Sequence, residues 1–109
     1  MEVKTVNDVV VVSLMRRFDA YTAGEAELKI TKIIEEGTKK LVCDFSQTEY
    51  LASAGLRVLI TACKRLQKNG GQLVLCSIKP YVLEVFDISG LNRIFKMYDS
   101  LEIALQNLN

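Results

Sequence analysis

Short runs of apolar, largely β-branched residues alternate along this chain with segments of helical period, and that alternation restricts the fold more than any other feature. Val9 to Leu14 holds four consecutive valines, the composition of a strand covered on both faces. Leu41-Val42-Cys43-Asp44-Phe45 and Leu73-Val74-Leu75-Cys76 are two further short, buried strands. Between them, Ala26, Ile30, Ile33 and Ile34 recur at i, i+4, i+7 and i+8, one helical face that ends at Gly37. A second helix is expected from about Ala54 to Lys68, with Leu56, Leu59, Ile60, Cys63 and Leu66 inward and Asn69-Gly70-Gly71 as its stop. The pattern predicts an α/β fold: a single small domain over residues 1–109, with a central, mostly parallel mixed sheet and about four helices.

The flanking segments refine this picture. Val3 to Val6, separated from Val9 only by Asn7-Asp8, predicts an antiparallel pairing of the first two strands. Thr22-Ala23-Gly24-Glu25 matches a capping box at the start of the first helix. Pro80 followed by Val82, Val85 and Phe86 suggests a short helix, and Ile94 to Met97 an edge strand. Asp99 and Glu102 offer a second capping box, opening a last helix with Leu101, Ala104, Leu105 and Leu108 on one side.

Composition closes several functional classes. Fourteen Lys and Arg against 13 Asp and Glu leave a net charge of +1, which argues against nucleic-acid or membrane-surface binding. No apolar run approaches the ~20 residues of a membrane span, and the opening residues do not read as a secretory signal, so a cytoplasmic protein is expected. The chain has no histidine, which removes Ser-His-Asp and Cys-His catalysis and the HExxH zinc helix. Cys43, Cys63 and Cys76 form no CxxC pair and are expected to be reduced, partly buried thiols. A phosphate-binding loop ending in Lys-Ser/Thr is missing, as is the acidic cluster of a receiver domain. No catalytic residue, cofactor or metal site is expected; the chain reads as a binding protein rather than an enzyme.

In open α/β sheets, function concentrates where strands end and helices begin. The junction from Asp44 through Ser46 to Ala52, Ser53 and Leu56 is the most suggestive one here. Ser53 falls at the start of the second helix, where its plain role is an N-cap. The same position favours a phosphoserine, because free N–H groups and the positive helix end stabilise a dianion. Arg57, four residues on, lies on the same helical face. Asp44 is a candidate for an Asx-type turn, and Ser46 and Thr48 are candidate turn formers.

Over nearly its full length the chain resembles the bacterial anti-sigma factor antagonists, the STAS domains. The resemblance is carried by Phe18-Asp19-Ala20, by Leu41-Val42-Cys43-Asp44-Phe45-Ser46, and most strongly by Leu51-Ala52-Ser53-Ala54-Gly55-Leu56-Arg57-Val58-Leu59, followed by Gly70-Gly71 and Leu73-Val74-Leu75. It implies a partner-switching regulator: unmodified, such a protein binds an anti-sigma factor that is also a serine kinase; phosphorylated by that kinase, it lets go, and a phosphatase resets it. The family's phosphoacceptor maps onto Ser53 and its two acids onto Asp19 and Asp44, so the expected partner surface comprises Asp19, Asp44, Ser46, Ala52, Ser53 and Arg57. The chain departs from the pattern at Ala52, where many members have Asp, and at Arg17, often glycine.

Overall fold

A computed structural model describes residues 1–108. In chain order the elements are β1 (Glu2–Val6), β2 (Val9–Ser13), β3 (Arg17–Phe18), α1 (Ala23–Glu35), β4 (Lys40–Asp44), β5 (Tyr50–Leu51), α2 (Ser53–Lys68), β6 (Gln72–Cys76), α3 (Pro80–Ser89), a 3₁₀ turn (Leu91–Arg93), β7 (Lys96–Tyr98) and α4 (Leu101–Leu108). The main sheet has the order β1-β2-β4-β6-β7. β1 and β2 pair antiparallel through the turn at Asn7, whose φ of +57° suits asparagine; every other neighbour in this sheet is parallel. The expected mixed, mostly parallel sheet is therefore present, with four α-helices.

The valine run behaves as its composition demands, because β2 is an inner strand with side chains alternating between two apolar layers. Val12, Leu41, Cys43, Leu73 and Leu75 join the larger cluster beneath α1, α2 and α3. Val9, Val11, Val42, Val74 and Cys76 face the other way, where Ala104 and Leu108 of α4 cover them. The α1 stripe is buried as its spacing predicts. In α2, Leu56, Leu59, Cys63 and Leu66 are buried as expected, but Ile60 is only half-buried and Val58 and Ala62 are buried instead. The two helices pack together on one face of the sheet. No helix among the described residues is long and apolar enough to cross a membrane.

Three local expectations are corrected, and a fourth feature comes in addition. Thr22 precedes α1 but forms no capping bond, because its hydroxyl instead donates to the Arg17 carbonyl at 2.7 Å and accepts from the Asp19 N–H at 3.0 Å. Ser100, not Asp99, caps α4: its Oγ accepts the Ile103 N–H at 3.1 Å. The last strand starts at Lys96, two residues later than the apolar run suggests, because the 3₁₀ turn leads into Ile94 and Phe95 is drawn into the core. In addition, β3 and β5 form a separate parallel pair, too short to leave a sequence period.

Candidate functional site

The parallel register aligns Ser13, Asp44 and Cys76, so β2, β4 and β6 all finish at one edge of the sheet. The loops leaving that edge are laced together. Leu14 N–H donates to the Asp44 carbonyl at 2.9 Å and Phe45 N–H to that of Cys76 at 3.0 Å. Beyond β2, Thr48 Oγ1, wholly buried, donates to the Met15 carbonyl at 2.9 Å. The Glu49 and Tyr50 N–H groups both donate to the Arg16 carbonyl, at 2.7 and 3.1 Å, and Ala52 N–H donates to that of Phe18 at 3.0 Å. An Arg16–Glu49 ion pair at 3.0 Å and the Arg17 guanidinium 4.4 Å above the Tyr50 ring reinforce this ribbon. The ribbon leads the chain to Ser53 with Phe18-Asp19 alongside.

Gly55 lets α2 come this close. A Cβ there would lie 2.9 Å from each of Leu51 Cδ1, Phe18 Cγ and the Phe18 carbonyl oxygen. The first turn of α2 thus rests directly on Phe18, itself fully buried. The glycine of the Ser-Ala-Gly-Leu segment has a packing reason that the sequence does not display.

Ser53 is exposed and is the first residue of α2, one place inside the expected cap. The capping position belongs to Ala52, whose φ of −113° and ψ of 171° continue the extended path of β5, and whose methyl group accepts no bond. The reading of Ser53 as the cap is therefore corrected. No side chain caps α2, and its first turn contains no acid. The exposed hydroxyl stands at an electropositive helix start with uncompensated N–H groups. Arg57, one turn along, is exposed and takes no part in the four ion pairs among the described residues.

Asp19 is nearly buried and organises the approach to α1. Its Oδ1 accepts the Tyr21 N–H at 3.0 Å, its Oδ2 pairs with Arg17 Nε at 3.4 Å, and its carbonyl accepts from Thr22 and Ala23. Asp44 makes the expected Asx turn, Oδ1 accepting the Ser46 N–H at 2.9 Å. Ser46 is exposed, and its carbonyl accepts a hydrogen bond from Lys79 Nζ, which also reaches the Thr48 carbonyl at 3.5 Å. Asp19, Ala52 and Ser53 thus lie on adjoining backbones, with Arg57 a turn away. Asp44 and Ser46 occupy the neighbouring loop at the same edge, bonded to each other. Nothing in the local sequence marks Lys79, since it acts on a loop more than thirty positions earlier.

The thiols stand outside this surface. All three are buried and free. Burial and the nearby Asp44 carboxylate push Cys76 up to about 11, and burial raises Cys43 further still. Such thiols stay protonated near neutral pH and are poor nucleophiles. No cluster of three or more potential metal ligands occurs among the described residues.

The STAS domain family model matches residues 1–104. This chain belongs to the STAS domain family. BtrV of Bordetella bronchiseptica, whose name assigns it to the anti-sigma factor antagonists, is 34% identical to this STAS domain over 99 residues, 91% of this chain and 85% of its own length. The anti-sigma-B factor antagonist of Bacillus subtilis is 27% identical over 106 residues, 97% of this chain and 96% of that protein. A crystal structure of an anti-sigma factor antagonist from Mycobacterium paratuberculosis is similar to it with a TM-score of 0.90 at 29% identity, covering 98% of this chain and 91% of that one.

Proposed function

We propose that this STAS domain is an anti-sigma factor antagonist that switches partners through Ser53. Unmodified, it binds an anti-sigma factor that is also a serine kinase and holds it away from a sigma factor. Transfer of the γ-phosphoryl group of ATP to Ser53 Oγ releases it, and a cognate phosphatase restores it. No enzymatic activity, nucleic acid or membrane enters this scheme. The observation that carries it is the placement of Ser53, exposed and without a capping bond on an α2 start that lacks acids.

The physics favours a switch without refolding. A phosphoserine adds about −1.5 to −2 charges, which the helix start and the nearby Arg57 offset within the domain. An acidic or closely packed partner surface gets no such compensation. A loss of ~3 kcal/mol in binding lowers affinity about a hundredfold. Asp19, Ala52 and Arg57 flank the serine as the proposed contact surface, and Asp44 and Ser46 extend it along the sheet edge.

Capture from source-cell lysate with wild-type, Ser53→Ala and Ser53→Asp baits tests the proposal. A serine-kinase-like anti-sigma factor should be retained by the first two and lost from the third, and ATP should elute it from wild type but not from Ser53→Ala. If all three baits retain the same proteins with and without ATP, the domain is a constitutive subunit of a larger signalling complex and the switch reading fails.

A further inference from the structure

β1 forms one edge of the main sheet, with β2 on its inner side. Glu2, Val3, Lys4 and Thr5 are all exposed, Val3 by 43%. An open edge of five residues offers unpaired N–H and C=O groups to any extended segment that can match it. The register with β2 shows which way each side chain points. Lys4 stands opposite Val11, whose side chain lies in the α4 layer, and Val3 stands opposite Val12, in the layer of α1 and α2. Directly opposed residues share a face, so Glu2 and Lys4 project on the α4 side while Val3 and Thr5 project on the other.

We propose that β1 is a homodimerisation edge, on which a second copy of this chain adds its own β1 antiparallel about a two-fold axis at Val3. The charges select both occupant and register. Symmetric antiparallel pairing sets one residue opposite its own copy. With Val3 on the axis, Glu2 of each copy faces Lys4 of the other, giving two opposite-charge pairs on one face and a Val3–Val3 contact on the other. With Lys4 on the axis, two ammonium groups oppose each other. With Thr5 on the axis, Lys4 faces Val6 and Glu2 comes opposite another acid, Asp8 of the turn. Lysine on an edge strand ordinarily deters pairing; here Glu2, two residues earlier on the same face, supplies its complement. A net charge of +1 leaves little long-range repulsion between copies.

The two five-stranded sheets would then run on as one. The axis is perpendicular to the sheet and reverses strand direction, so the two Ser53 edges point to opposite ends of the dimer and both stay accessible. Neither Glu2 nor Lys4 belongs to the Ser53 surface, so the pairing stands whether or not Ser53 is a switch. A five-residue strand pair buries less than the ~1,200 Å² of a stable interface, so a weak dimer is expected, with Kd on the order of 10–1,000 μM.

Sedimentation equilibrium from about 10 μM to 1 mM tests this, with a thermal melt to verify that each variant is folded. Wild type should self-associate in that range. Lys4→Glu sets carboxylates against one another, Glu2→Lys sets ammonium groups against one another, and each should weaken association roughly tenfold. An equimolar mixture of the two variants should recover wild-type affinity, because every cross-strand pair is again of opposite charge. Wild type remaining monomeric to 1 mM would overturn the proposal. So would either variant associating as tightly as wild type, or the mixture associating no better than its components.

Discussion

Replacing Gly55 with alanine isolates the contact that holds the start of α2 against the Phe18-Asp19 segment. Judged as a helical residue alone, alanine should stabilise α2 by up to about 1 kcal/mol. The added methyl, however, would lie 2.9 Å from the Phe18 carbonyl oxygen, the Phe18 ring and Leu51 Cδ1. Real Cβ contacts do not come so near, and the oxygen cannot yield freely because it accepts the Ala52 N–H. Overpacking of this kind costs about 1–3 kcal/mol. With the Phe18 carbonyl pinned, the clash should fall in the upper part of that range and outweigh propensity, leaving a net loss of about 1–2 kcal/mol, or a melting midpoint lower by about 4–8 °C for a domain of this size. Gly24→Ala supplies the control: it lies in the first turn of α1 with nothing within 4 Å of the new methyl, and should stabilise by about 0.5–1 kcal/mol. Urea and thermal unfolding of both variants against wild type would measure the pair. A Gly55→Ala protein as stable as wild type, or more so, would refute the close-approach argument.

Ala52 caps α2 with no acceptor, so Ala52→Asp should stabilise the domain by about 0.5–2 kcal/mol in urea melts at neutral pH. Ser53→Ala should change stability by less than about 0.5 kcal/mol, since Ser53 is not the cap, whereas Ser100→Ala should cost about 1 kcal/mol; equal losses would contradict the assignment of the caps. Thr48→Val removes the buried bond to the Met15 carbonyl and should cost about 1–3 kcal/mol by the same assay. Because the folded Cys76 thiol titrates near 11 against an ordinary value of 9.0, its contribution is complete below pH 9 and is lost as pH rises from 9 to 11. The loss attributable to it should show as a urea midpoint that falls across that range in wild type and falls less in Cys76→Ala.

The sheet strands and the inward faces of the helices were legible in the sequence because their signal is local. A valine run that must be covered on both sides, or an apolar stripe at helical spacing, is written in consecutive residues, and the core of β2, β4, β6, α1 and α2 follows it. Asp44 likewise bonds within two residues of itself, so its turn is readable from the dipeptide context. The position of Ser53 near a helix start was readable too, from the stop of one apolar period and the start of another.

Tertiary structure decided what the ends of those elements do, because a polar group takes whichever partner the fold brings within reach. Thr22 and Glu25 have the spacing of a capping box, yet the Arg17 carbonyl and Asp19 N–H claim the Thr22 hydroxyl first. Ala52 takes the cap position because the β3–β5 ribbon keeps the chain extended until Ser53, leaving that hydroxyl free and exposed. Lys79 braces the Ser46–Thr48 loop, and Gly55 admits Phe18, across sequence gaps of more than thirty residues. Periodicity reports which side of an element is buried; only the assembled chain determines which atoms meet at its ends, and the candidate site is built from those ends.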